Sequence, residues 1–294
     1  MPYEKQWGGQ NPGCLIFLLD QSGSMSDPFG FDQAGSGRRK CDMVAAVLNG
    51  FLHELIVTNT VVRGDGQAEV RPRADIAVIG YEGSSYSSVL AGELEGMDFV
   101  TLPQLQDAPL RIEQRMRTET DLTGHTYEEV VDFPIWVDPM VGTGTPMRMA
   151  LMHAHELAQQ WADGHPYNYP PVIINVTDGM STDGDPSSVA AELCQISTTD
   201  GQALLFNVHI TNIRLSTVMY PSSEDELPRD KYARLLFSMS STIPETSRTL
   251  LSSLLGYAVP PGTRGLIFNG DAASIRQMFV FASVPATQPL DPNR

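Results

Sequence analysis

Four short runs along the chain are nearly all apolar, at residues 15–19, 75–79, 172–176 and 204–210. They favour β-branched residues and lack polar alternation, the pattern of parallel strands covered on both faces. Between them, apolar positions recur at helical spacing. Val44, Val47, Leu48, Phe51, Leu52 and Leu55 form one stripe within 41–56. Met147, Ala150, Leu151, Ala154, Leu157 and Trp161 form another within 146–161, which opens with Pro146 at its first position. Asp185-Pro186 opens a shorter helix carrying Val189, Leu193 and Ile196, a further helical pattern covers 245–255, and Asp271 is placed to cap a helix over 272–281. Strands alternating with helices predict an α/β fold, a doubly wound and mostly parallel sheet flanked by helices.

One region breaks that rhythm. Between Val100 and Val141 there is no amphipathic helix. Leu110, Ile112 and Met116 alternate with Arg111, Glu113, Arg115 and Arg117, then a turn-like Asp121-Leu122-Thr123-Gly124 precedes a β-forming stretch over 127–137. This predicts a β-hairpin insertion within 100–141. The polar, acidic stretch 216–229 reads as an exposed loop. The expected organisation is an N-terminal extension (1–11), one domain (12–283) and a C-terminal tail (284–294).

Composition narrows the function classes. Of 294 residues, 41% are hydrophobic and 18% charged, which excludes a disordered, collagen-like or coiled-coil chain. Nineteen basic against 35 acidic residues give a net charge of −16, a surface that repels phosphate backbones and anionic lipid. Nucleic acid and membrane are therefore not expected partners. Cys14, Cys41 and Cys194 form no CxxC pair, so buried thiols are expected rather than a disulfide framework or a thiolate zinc site. The polar N-terminus and the shortness of the apolar runs point to a cytoplasmic protein.

The chemistry gathers after the first apolar run, in Asp20-Gln21-Ser22-Gly23-Ser24-Met25. A buried strand ending this way sends one carboxylate and two hydroxyls into the crevice beyond its carboxyl end, where open α/β sheets bind ligands. Oxygen donors suit a hard divalent ion, and hydroxyls leave it electron-poor enough to take an anionic oxygen from outside. Two further segments can complete the set. Gly142-Thr143-Gly144-Thr145-Pro146 places Thr145 before a helix, and Thr177-Asp178-Gly179 ends the third apolar run in a carboxylate. The candidate ligands are Asp20, Ser22, Ser24, Thr145 and Asp178. Thr145 is also a natural helix N-cap, Thr143 is its nearest rival, and Asp183 and Asp185 read as turn and cap residues. No histidine has ligand-like spacing, and Arg38-Arg39-Lys40 reads as a solvated loop before a helix.

These three segments, in this order, resemble the metal-ion-dependent adhesion site of von Willebrand factor type A (VWA) domains. The resemblance spans residues 12–283 and looks nearest to intracellular bacterial members, including those of tellurite-resistance-type and kinase–phosphatase-associated systems. It implies a Rossmann-like fold and a non-enzymatic adaptor. Mg²⁺ (or Mn²⁺) would be completed by an Asp or Glu of a protein partner, such as a kinase, phosphatase or AAA+ ATPase. The long hairpin departs from the minimal family pattern. The alternatives are a metal-dependent hydrolase or phosphatase using Asp20 and a scaffold with a vestigial site. A phosphoaspartyl enzyme usually places a second aspartate where Ser22 stands. A serine hydrolase would need a Gly-x-Ser-x-Gly elbow, and Ser22 is preceded by Asp20 at the position of the first glycine.

Overall fold

The apolar runs become the central strands of one eight-stranded sheet in the computed structural model, which describes residues 3–29, 37–120, 125–211 and 215–283. The strands are β1 (Gly13–Asp20), β2 (Ala74–Glu82), β3 (Ser85–Ser88), β4 (Val100–Thr101), β5 (Val172–Thr177), β6 (Leu204–His209), β7 (Val218–Met219) and β8 (Leu266–Phe268). Their order is β7-β8-β6-β5-β1-β2-β3, with β4 also paired to β2. The five inner strands β2, β1, β5, β6 and β8 run parallel, and the short outer ones are antiparallel. Every residue of β1, β5 and β6 is buried, which explains their unbroken apolar character.

Successive side chains of a strand point to opposite faces, so the sheet has two cores. Leu15, Phe17 and Leu19 of β1 pack beneath α1 (Lys40–Thr58), α2 (Leu102–Asp107), α6 (Glu245–Leu255) and α7 (Ala272–Ala282). Cys14, Ile16 and Leu18 pack beneath α3 (Met147–Gly164), α4 (Ser187–Leu193) and α5 (Lys231–Met239). On the first face Phe17, Phe51 and Phe279 meet edge to face at 5.0–5.9 Å, tying β1 to α1 and α7. Each pair adds about 0.5–1.5 kcal/mol beyond simple burial. Helix α1 is long and apolar enough to cross a membrane by length and composition, but here its Leu48, Phe51, Leu52 and Leu55 lie in this core.

Between β4 and α3 a two-stranded antiparallel ribbon, Arg111–Thr120 with Thr126–Ile135, stands on α1; the Asp121–Gly124 turn lies outside the described residues. Phe133 meets His53 edge-on, while Ile112, Met116 and Val130 remain exposed on the other face. The ribbon's base is clamped by the buried Asn49 of α1. Its Oδ1 accepts from the Trp136 and Val137 N–H groups (2.8 and 3.1 Å) and its Nδ2 donates to Val137 O (2.8 Å).

Three expectations need correction. Residues 100–141 are not without a helix: α2 lies inside them with Leu102 and Leu105 buried, so the ribbon is confined to 111–135. The stretch 216–229 is not simply an exposed loop. It contains edge strand β7 and buries Tyr220 and Leu227, because an apolar pair and a tyrosine sit inside the acidic sequence. Pro146 is the N-cap of α3 rather than its first helical residue, its ψ of 59° lying outside the helical range. Residues 3–11 are also held in place, with Trp7 buried in the first core and Asp200 accepting from the Glu4 and Lys5 N–H groups.

A row of polar side chains crosses the second core. Tyr81 donates to Asn175 Oδ1 (2.9 Å), Asn175 Nδ2 to Asn207 Oδ1 (3.0 Å), and Asn207 Nδ2 to Ser240 Oγ (3.0 Å). It satisfies groups that would otherwise be buried without partners.

Candidate metal centre

The chain leaves β1 toward β2 on one side, then returns to place β5, β6 and β8 on the other. The order therefore reverses between β1 and β5, and the crevice outside their carboxyl ends is the switch point at which open α/β sheets bind ligands. Asp20 ends β1 and Asp178 follows β5.

Asp20 is 2% exposed. Its Oδ1 accepts from the Ser22 N–H (2.8 Å) and its Oδ2 from the Thr177 hydroxyl (2.7 Å) on the neighbouring strand. Thr177 Oγ1 in turn accepts from the Gly179 N–H (3.0 Å), which holds the Asp178 turn beside β1. Burial first, and then the charge of Asp178, push the Asp20 carboxyl up to about 6, against the lowering effect of its Ser22 and Thr177 hydrogen bonds. Burial and a neighbouring carboxylate thus both disfavour the charged form of Asp20.

Ser22 and Ser24 follow on a short 3₁₀ turn, Gly23–Ser26, pinned by the buried Met25. Their hydroxyls are 3.1 Å apart, Ser22 buried and Ser24 exposed. The 142–145 loop closes over this turn, with the Gly142 N–H donating to Gln21 O (2.6 Å).

Thr145 and Thr143 are separated by their surroundings. Thr143 is exposed and turned toward β2, its N–H donating to Glu82 Oε2 (3.1 Å) and its carbonyl accepting from Gly83. Thr145 is buried, its N–H donating to Thr182 Oγ1 (2.8 Å). The Thr145 hydroxyl makes no hydrogen bond among the described residues, and it does not cap α3. Asp183 does that from across the crevice, accepting from the Arg148 and Met149 N–H groups (3.1 and 2.8 Å). A cap supplied by a distant loop leaves the threonine oxygen free. Between them lies Gly144 at φ +65°, where a Cβ would come within 2.7 Å of the Gly83 carbonyl oxygen. Gly179, at φ +117°, would meet His209 Nε2 at 2.8 Å in the same way.

Lys40 is missing from the sequence-based set and belongs beside it. Arg39 is exposed and paired with Asp42 (2.6 Å), but Lys40, the first residue of α1, is only 3% exposed. Its ammonium lies 3.2 Å from Asp178 Oδ2 and 4.0 Å from Asp27 Oδ2. The reading of the whole Arg38-Arg39-Lys40 run as a solvated loop is corrected accordingly. Arg38 and Arg39 form a two-residue strand paired with Pro28–Phe29, which turns Lys40 inward. His209, at the end of β6, puts its Nε2 3.1 Å from the Asp178 carbonyl and stacks on Phe268; burial pushes its imidazole down.

Asp20, Ser22 and Ser24 are thus linked by direct hydrogen bonds, Asp178 lies within electrostatic reach of Asp20, and Thr145 is carried to the same sheet end by its loop. Among the described residues no three His, Cys, Asp or Glu side chains cluster as a metal group. The set is two carboxylates and three hydroxyls. All-oxygen donors fit a hard divalent ion such as Mg²⁺ and do not fit a soft one.

Fold and site together define a doubly wound α/β domain with an oxygen-donor crevice at its switch point. No family model matches the chain, and no curated protein matches it in sequence. Solved structures with a related chain course include the ArnB paralog VWA2 from Sulfolobus acidocaldarius. It shares 13% identity at a TM-score of 0.36, over 69% of this chain and 36% of that one. The PilB minor pilin from Streptococcus sanguinis shares 8% identity at 0.45, over 97% and 62%. An uncharacterized membrane-spanning protein from Vibrio fischeri shares 14% identity at 0.26, over 76% and 85%. The chain spans less than two thirds of the first two proteins.

Proposed function

We propose that the crevice holds Mg²⁺ (or Mn²⁺) through Asp20, Ser22, Ser24, Thr145 and Asp178, and that the protein is a non-enzymatic adaptor. An Asp or Glu of a protein partner completes the ion's coordination. The observation that carries this reading is the hydrogen bond from Thr177 to Asp20, which sets the Asp178 turn beside the end of β1, next to the paired Ser22 and Ser24 hydroxyls. When bound, the ion supplies the positive charge that lets an acidic partner approach a chain of net charge −16. The resemblance to VWA domains supports a bacterial cytoplasmic signalling, stress or defence setting, with a kinase, phosphatase or AAA+ ATPase as partner. The hydrolase reading gains nothing from the geometry, since the position two residues after Asp20 is a serine that donates its N–H to it. Calorimetry with Mg²⁺ and Mn²⁺ tests the site. One ion should bind per chain, and Asp20→Ala should abolish binding while circular dichroism stays unchanged. Binding that survives in Asp20→Ala would refute the assignment.

A further inference from the structure

We infer that the Lys40 ammonium is a tethered counter-ion of the crevice, holding Asp178 in the ion-free protein and giving it up when a divalent ion enters. This deepens the reading proposed above and rests on it. Three observations converge on Lys40. Its ammonium is buried and lies 3.2 Å from the Asp178 oxygen that faces it, with the more exposed Asp27 at 4.0 Å. It is the first residue of α1, held there by its N–H on Asp27 O (3.1 Å), where the unpaired N–H groups of the helix make a cation unwelcome. Its neighbour Arg39 spends its charge on Asp42 outside. A lysine buried at the positive end of a helix persists only if opposite charge compensates it, and Asp178 is the nearest such charge.

The same pairing has a consequence for ion binding. An ammonium and a divalent ion cannot share Asp178 at close range without strong repulsion, because both are cations in a poorly solvated crevice. Entry of the ion therefore requires the Lys40 side chain to swing toward Asp27 and solvent. The four-carbon stem of lysine is long and flexible enough for this, whereas the rigid fork of an arginine is not. Lys40 thus raises the ion concentration at which the crevice fills, and keeps the empty site from carrying two uncompensated carboxylates.

Calorimetric titration of the full chain with MgCl₂ tests this, using Lys40→Met to remove the charge at similar volume and Lys40→Gln should the Met variant fold poorly. The expected result is Mg²⁺ binding at least tenfold tighter than in the wild type, lost when Asp20→Ala is added. In EDTA, Lys40→Met should lower the Tm, and Asp178→Asn added to it should restore most of the loss. Unchanged or weaker Asp20-dependent binding in the folded Lys40 variants would overturn the inference and leave the metal site standing. Absence of Asp20-dependent binding in the wild type and in every Lys40 variant would overturn both.

Discussion

Replacing Asp20 by asparagine should stabilise the ion-free protein at neutral pH, although it removes a buried and doubly hydrogen-bonded side chain. The folded protein holds the Asp20 proton up to about pH 6, against 3.8 for an ordinary aspartate. Between those values the folded chain keeps a proton that the unfolded chain has released. Stability therefore falls as pH rises through this window and stays low above it. The full drop is about 3 kcal/mol. Asparagine escapes the drop and retains an acceptor for the Ser22 N–H, but it disturbs the Thr177 bond, a loss of about 0.5–1.5 kcal/mol. The net gain is roughly 1.5–2.5 kcal/mol at pH 7.5, or about 2–4 °C in Tm for a chain of this length. Thermal unfolding of both proteins in EDTA from pH 4 to 8 measures it. The gap should be small at pH 4, open between pH 4 and 6, and narrow again when saturating Mg²⁺ stabilises the wild type alone. An Asn variant less stable than wild type at pH 7.5 in EDTA, with no pH-dependent gap, would refute the electrostatic account of the crevice.

Further substitutions separate the roles of neighbouring residues. Thr145→Val keeps the buried shape and removes the uncommitted hydroxyl; melting should move by less than about 0.5 kcal/mol while calorimetric Mg²⁺ affinity falls, and Thr143→Ala should change neither. Gly179→Ala forces a Cβ against His209 at positive φ, and denaturant unfolding should report a loss above about 1 kcal/mol. Asn49→Leu strands the N–H groups of Trp136 and Val137 and the Val137 carbonyl, which should lower chemical-denaturation stability by about 3 kcal/mol or more.

What the sequence made readable follows a physical division. Strands buried on both faces must be apolar throughout, so residues 15–19, 75–79, 172–176 and 204–210 announced the sheet centre. Residues that must sit at strand ends with oxygen in their side chains, such as Asp20 and Asp178, stood out against those runs. The asparagines were legible in principle. Asn175 and Asn207 interrupt two apolar strands and are direct register partners, a sign of a shared buried bond. Contacts made across space were not readable. Nothing local distinguishes Asp183 as the cap of a helix that begins 36 residues before it. Lys40 was masked by two arginines, though a cation at a helix start, against the dipole, was the available hint.

The bond from Thr177 to Asp20 joins residues 157 positions apart. Parallel strands that distant in the chain can pair only after the intervening β2, ribbon and α3 have been laid down or looped out, an entropic barrier that belongs to the slow end of folding. The crevice does not exist in any fragment that lacks either strand, because β1 supplies one wall and β5 the other. An ion there can only lock a sheet already assembled. On the proposed reading, its arrival would report that the two halves of the domain have met, and a partner bound through it would engage only the finished fold.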